Sequence, residues 1–315
     1  MAENVTLLEP RKITPNPENP RLIFREDELQ ALEDSIRLQG ILVPLSVFED
    51  QRKFVILDGE RRWRCAIKLG LDHVPVIVQP KPDRLTNIMM MFAIHHARLD
   101  WDPLPTAIKL QELEDEFNNR QGRTPTEIEL AELASLNRSE VRRLKNLLGL
   151  PQSYRDELMA ELEKPRSQQV ITVDHVLEAT RAAAALQKRG VIDEKEEDRL
   201  RGAIISKFRS KVINNTVAPR QLSKIARAVE RQEIPLTVAR QVTVRLIEDP
   251  EFSIEDAFAR SVAQVDFEHT VEQLVDRLAL KLREHQGRGY NLREALRSSL
   301  EQLELTISRL LGPSG

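Results

Sequence analysis

The sequence predicts an α+β chain, a small α/β head followed by a mainly α-helical body, and three observations carry that prediction. Aromatic residues and glycine are sparse, with 9 Phe, 2 Trp, 2 Tyr and 11 Gly in 315 residues, while Leu, Ala, Glu and Arg abound, a bias that suits helices better than sandwiches or barrels. Strand-like and helix-like runs alternate over the first hundred residues. From about Thr86 a three- and four-residue apolar period takes over and persists almost to the end.

Val5 to Leu8 reads as the opening strand, and the prolines of Pro15-Asn16-Pro17-Glu18-Asn19-Pro20 forbid helix after it. Leu29, Leu32, Ile36 and Leu38 mark a helix that stops at Gly40, a left-handed cap. Ile41 to Phe48 reads as a strand interrupted near Pro44, Lys53 to Leu57 as another, Asp58-Gly59 as a turn, Glu60 to Leu69 as a helix ended by Gly70, and Val74 to Val78 as a fourth strand. Breaks at Pro103 to Pro105, Gly122 to Pro125, Pro151, Pro165 and Pro235 divide the rest. The expected organisation is a head over residues 1–85, a helical DNA-binding segment over 86–180, a basic helical region over 181–265 and a helical, candidate dimerisation region over 266–315. In the last, Val271, Leu274, Val275, Leu278 and Leu282 form an apolar stripe that could pair with Leu292 to Leu311 or with a second subunit.

With 41% hydrophobic and 31% charged residues, collagen, disulfide scaffolds and wholesale disorder are excluded. The single cysteine, Cys65, makes neither an intramolecular disulfide nor a cysteine zinc site, and its helical setting reads as a small buried residue. No apolar run is long enough for a membrane span, and the N-terminus lacks a signal peptide's apolar core, so a soluble, unprocessed cytoplasmic chain with no membrane partner is expected. The net charge of -3 hides an asymmetry: Arg199 to Arg231 holds nine bases against one acid, Glu230. That excess could track a phosphate backbone or be paired with acids elsewhere, and its lopsidedness favours phosphate.

Two runs carry chemistry. In Leu57-Asp58-Gly59-Glu60-Arg61-Arg62-Trp63-Arg64-Cys65-Ala66 a strand turns into a helix with three arginines in its first turns. Free N–H groups and the positive dipole end gather there, arginine forks add bidentate phosphate contacts, and Gly59 permits close approach. A surface helix with solvated or paired arginines is the plain alternative. The second run opens with the helix start Thr124-Pro125-Thr126, places Ile128, Ala131 and Ala134 at inward spacing, turns at Ser135-Leu136-Asn137, and continues as a helix from about Ser139. Its outward set is Arg138, Ser139, Arg142, Arg143, Lys145 and Asn146, with Val141, Leu144 and Leu148 inward. Arginine and asparagine read base edges while lysine meets phosphate, so Arg142, Arg143 and Asn146 are the candidate readers. Ile171-Thr172-Val173-Asp174 is a further helix start with Thr172 or Asp174 as cap.

The Gly59 to Arg64 run resembles the Gly-Glu-Arg-Arg-x-Arg box of the ParB family of chromosome and plasmid partition proteins, whose N-terminal domain shares a fold with sulfiredoxin. Ile13 to Pro17, Asn19-Pro20-Arg21, and Leu32 to Gly40 followed by Ile41 to Val47 resemble the family's opening boxes in order and spacing, and a helix-turn-helix follows. The resemblance spans roughly residues 5 to 180. It implies a homodimeric, site-specific DNA-binding protein of nucleoid or plasmid, a ParA-type ATPase partner, and a CTP and magnesium site lined by Gly59, Glu60, Arg61, Arg62, Arg64 and Arg98 that works a DNA-entrapping gate.

Two departures bear on that implication. Ile94-His95-His96-Ala97-Arg98 stands where the family carries Glu-Asn-x-x-Arg, and Ile94 has no oxygen to offer magnesium. Activity is therefore expected to be a slow CTPase at most. Adjacent His95 and His96 point about 100° apart on a helix and do not share a metal easily, so no metal site is assigned. Val43 replaces the glutamine common before the following proline. A ParB-like transcriptional regulator or nucleoid-associated factor without nucleotide turnover is the alternative, and a nuclease, which needs clustered carboxylates, ranks below both.

Overall fold

The computed structural model describes residues 4–96, 102–288 and 291–312. Its head contains β1 (Val5–Leu8), β2 (Ile13–Thr14), α1 (Glu26–Gln39), β3 (Leu45–Asp50), β4 (Lys53–Asp58), α2 (Glu60–Leu69) and β5 (Val74–Gln79). The five strands make one mixed sheet in the order β1-β5-β3-β4-β2. β3 and β4 pair antiparallel, β5 runs parallel to β3 with α2 as the crossover, β1 runs antiparallel to β5, and β2 parallel to β4.

Alternation along β3 and β4 splits the head's interior between two faces of the sheet. Leu45, Val47 and Ile56 pack with Ala66 of α2 and with Val74 and Val76, whereas Phe48, Val55 and Leu57 pack with Met91 of α3 (Arg84–His96). Strand β3 begins at Leu45 rather than Ile41, because Pro44 has no N–H for the ladder and Leu42 and Val43 lie exposed before it. Leu38 is 84% exposed, and α1 instead buries Ile36 and Glu33. The Glu33 carboxylate is accommodated by Arg37 at 2.8 Å and Lys68 at 2.9 Å.

The body consists of α4 (Pro103–Gln121), α5 (Glu127–Leu133), α6 (Arg138–Leu148), α7 (Gln152–Leu162), α8 (Val173–Lys188), α9 (Glu194–Arg209), α10 (Arg220–Glu230), α11 (Leu236–Glu248), α12 (Ile254–Ala259), α13 (Ala263–Arg288) and α14 (Glu294–Leu311). One continuous apolar core runs from Ile88 and Phe92 of α3 to Val262. Helix α3 thus serves both parts, Met91 toward the sheet and Ile88 and Phe92 toward the body. The expected divisions at 180/181 and 265/266 fall inside α8 and α13, and the core crosses the first of them without a break. Helix α14 has no buried residue, and Leu274, Val275, Leu310 and Leu311 are exposed, so the C-terminal stripes are not closed into an intramolecular hairpin core. Among the described residues no helix is long and apolar enough to cross a membrane.

Candidate functional site

The β4–α2 turn is built around Gly59, whose φ of +98° lies in the region that favours glycine. A Cβ there would meet Arg62 Nη2 at 3.0 Å and Leu45 Cγ at 3.1 Å. Helix α2 starts without a side-chain cap, its first internal bond being Trp63 N–H to the Gly59 carbonyl at 3.0 Å. The amides of its first turn are therefore left to a ligand or water. They border a cavity of about 200 Å³ lined by Gly59, Glu60, Arg61 and Arg62 together with Asn19, Arg21, Phe24, Leu32 and Asp58.

The three arginines have different settings. Arg61 donates to the Glu28 carbonyl at 2.8 Å, and its buried Nε has no hydrogen-bond partner among the described residues. Arg62 folds back over Gly59, donating to the carbonyls of Val43 and Pro44, the latter at 2.9 Å, and to Asp58 at 2.8 Å. Arg64 stands behind the cavity, stacked 4.0 Å over the Phe24 ring and bonded to Glu60 at 2.7 and 3.0 Å. Buried Glu60 also accepts from Asn19 at 2.8 Å. Gly59, Glu60, Arg61 and Arg62 thus line one cavity, Arg64 supports the wall without lining it, and Arg98 lies outside the described residues.

Sequence reasoning missed Asn19, Arg21 and Phe24 as site residues. Their only signal was the Asn19-Pro20-Arg21 box, since an extended proline-rich run has no periodicity to betray where it returns.

The donor set fits a polyphosphate: positive-end amides, a glycine that leaves room, and an arginine with an unused buried N–H. It does not fit magnesium through protein ligands, because Glu60 is taken by Asn19 and Arg64 and Asp58 by Arg62. Ile94 packs against the Phe48, Leu57 and Met91 cluster, while the side chains of His95 and His96 lie outside the described residues. No group of three His, Cys, Asp or Glu placed to hold a metal occurs among the described residues. Burial, followed by the Glu33 charge, pushes the Cys65 thiol up, which fits a packing residue.

Helices α5 and α6 form a compact pair. Each starts with a reciprocal capping box, Thr126 with Glu129 and Asn137 with Glu140, and the turn between them places Ser135 at φ +52°. Leu130, Ala131, Ala134, Val141, Leu144 and Leu147 are buried. Ile128 is 50% exposed and Leu147 replaces Leu148 as the innermost residue, so the buried faces are turned relative to the expected register.

Arg138, Ser139, Arg142 and Asn146 are exposed on α6. Arg142 reaches Glu127 at 2.8 Å and Arg143 reaches Asp174 at 2.8 Å. Lys145 points to the α4 side, where its ammonium meets Glu114 at 2.8 Å, so it does not stand with the outward set. Thr172, not Asp174, caps α8, accepting from the His175 amide.

The excess of positive charge over Arg199 to Arg231 is largely matched within the fold. Arg201 pairs with Glu197 and Asp198, Arg209 with Glu157, Arg220 with Glu178, Lys224 with Asp266 and Arg231 with Glu233. Buried Lys207 donates to the Asp249 and Pro250 carbonyls at 2.5 and 2.9 Å. The acids that meet these bases come from α7, α8, α9, α13 and the turn after α10, so the sum over the run overstates the charge left to meet phosphate.

Residues 1–93 match the ParB N-terminal domain. A probable chromosome-partitioning protein ParB of Xylella fastidiosa is 35% identical over 196 residues, 62% of this chain and 61% of that protein. The head is a ParB N-terminal domain. A nucleoid occlusion protein of Geobacillus is 31% identical over 158 residues, half of this chain and 54% of the relative. The chain therefore spans between half and two thirds of the length of these curated relatives of the ParB family. The crystal structure of C-terminally truncated ParB from Caulobacter crescentus complexed with CTP-γ-S is 31% identical, covering 49% of this chain and 85% of that one with a TM-score of 0.29.

Proposed function

We propose that this chain is a site-specific DNA-binding partition protein of the ParB family whose head takes a cytidine triphosphate. The observation that carries the nucleotide reading is the uncapped α2 start at Gly59, facing a cavity that also receives Arg61, whose buried Nε is unused. The DNA reading rests on α6, which presents Arg142 and Asn146 outward from a capped, well-packed helix pair. Nucleotide held at the α2 turn would draw two heads together and stabilise a closed ring on duplex DNA. The uncovered apolar faces of α13 and α14 are assigned to a second copy of the chain, and a ParA-type ATPase is the expected further partner, with the protein residing on nucleoid or plasmid DNA.

Calorimetric titration with CTP, ATP and GTP, with and without magnesium and DNA, tests the head. Selective CTP binding supports the reading and no binding removes it. Arg142→Ala with Arg143→Ala should abolish site-specific binding while leaving the fold intact, and retained specificity would misplace the reader helix. Light scattering of the full chain tests the dimer.

A second reading, a DNA-binding regulator or nucleoid-associated factor that does not turn nucleotide over, is favoured by the committed carboxylates of the cleft and by the packing of Ile94 against the Phe48, Leu57 and Met91 cluster. Magnesium-dependent CTP turnover decides against it. The same lack of uncommitted carboxylates weighs against a nuclease.

A further inference from the structure

A buried guanidinium is one of the ties between the head and the body. Arg25 occupies the N-cap position of α1, where a short polar side chain would ordinarily accept from the first turn. Its side chain is 2% exposed and makes no cap. It reaches instead to the body, donating to the Leu162 carbonyl at 2.6 and 3.0 Å, to the Lys164 carbonyl at 3.3 Å and to Asp102 at 2.8 Å. The carbonyls at the end of α7 lack helical partners and carry the negative end of its dipole, so a cation seated there satisfies a need on the body side.

A fourth partner of Arg25 joins this contact to the cleft. Glu28 Oε1 accepts from Arg25 at 3.1 Å and from Arg166 of the body at 2.9 Å. Its Oε2 accepts from the cleft residue Arg21 at 2.8 Å, and its main-chain carbonyl accepts from Arg61. Burial works against ionisation of Glu28, and Arg166 and Arg25 together outweigh it, holding the carboxyl below its ordinary value.

We propose that Glu28 couples occupancy of the anion cleft to the grip of the head on the body. When Arg21 turns to an anion, Glu28 loses one of three cations and draws more strongly on Arg25 and Arg166, so an occupied cleft tightens the joint. Linkage makes the converse hold: a tight joint neutralises Glu28 and favours the anion. The ligand in this inference rests on the nucleotide reading above, whereas the coupling through Glu28 does not.

The test is amide hydrogen exchange of the full chain over residues 159–171. Arg21→Gln empties Oε2 as a ligand would, and it should slow exchange there roughly two- to fivefold. CTP added to the unmodified protein should act in the same direction. In a Glu28→Gln background both effects should vanish, with sheet amides reporting that the head remains folded. Arg166→Ala, whose side chain is 53% exposed in the native chain, should weaken CTP binding by a similar factor although Arg166 does not line the cleft. Unchanged exchange in Arg21→Gln, or an effect that persists without Glu28, overturns the coupling. Failure of CTP to bind removes the nucleotide reading alone, because the Arg21→Gln comparison still decides the coupling.

Discussion

Replacing Gly59 by alanine should destabilise the head by about 3 kcal/mol. A non-glycine residue held at left-handed φ costs about 1–2 kcal/mol, and φ here is +98°. The new methyl would also lie 3.1 Å from Leu45 Cγ and 3.0 Å from Arg62 Nη2. Leu45 is fully buried and Arg62 is tied to Pro44 and Asp58, so neither gives way freely, and overpacking of this kind adds roughly 1–2 kcal/mol. Urea unfolding followed by Trp63 fluorescence in a Trp101→Phe background reads the head directly. With a slope of about 1–3 kcal/mol/M the midpoint should fall by roughly 1 to 3 M. Arg62→Ala removes one of the two close contacts, so the same glycine substitution should cost less in that background. A loss under about 0.5 kcal/mol would refute the left-handed turn, and an equal cost in both backgrounds would refute the Arg62 contact.

Arg25→Met strands Asp102 in a buried site and should cost about 3–5 kcal/mol, part of which Asp102→Asn restores; a urea midpoint that hardly moves would mean the guanidinium is not buried. Ser135→Gly relieves the strained turn between α5 and α6 and, after glycine's extra chain entropy, should stabilise by about 0.5 kcal/mol, so a lowered melting temperature would contradict the +52° backbone. The Glu129 carboxyl is pushed down to about 2 by the Arg123 guanidinium and then by the Thr126 amide. Because its folded value is depressed, its contribution is full above the ordinary carboxylate range and is lost as pH falls toward 2. A titration of its side-chain carbon signal with a midpoint near 4 would disprove that pairing.

Where local chemistry decided the outcome, the sequence was readable. The strand over Val5–Leu8 and the helix over Glu60–Leu69 stand where the apolar spacing and the two flanking glycines put them. The cleft was half legible: Gly59 to Arg62 form one contiguous run, whereas Asn19, Arg21 and Phe24 reach it only when the N-terminal run folds across α2. Register errors have the same origin. Leu38 fits the helical period as well as Ile36 does, and only the docking of α2, with Lys68 and Arg37 on Glu33, makes Glu33 an inward position. The sum of charge over Arg199 to Arg231 overstates what is left for phosphate, because a count along the sequence does not see Glu157, Glu178 and Asp266 arriving from other helices.

The strand order has a consequence for how the protein is made. Val5 pairs with Ile77, and the parallel partner of β3 is β5, so the sheet cannot close until roughly 70 further residues have left the ribosome. At about 5–20 residues per second that is a wait on the order of 4–14 s, during which β1 has nothing to pair with. The helical body packs its helices mainly against those one or two places away in the chain, whereas the edge of the head's sheet depends on a pair about 70 residues apart and its loop-closure entropy. The sheet is complete once Gln79 has emerged, ahead of every helix from Pro103 onward, so the first translated strand waits only for its own domain, and a chaperone that shields it would act on the head that later holds the cleft.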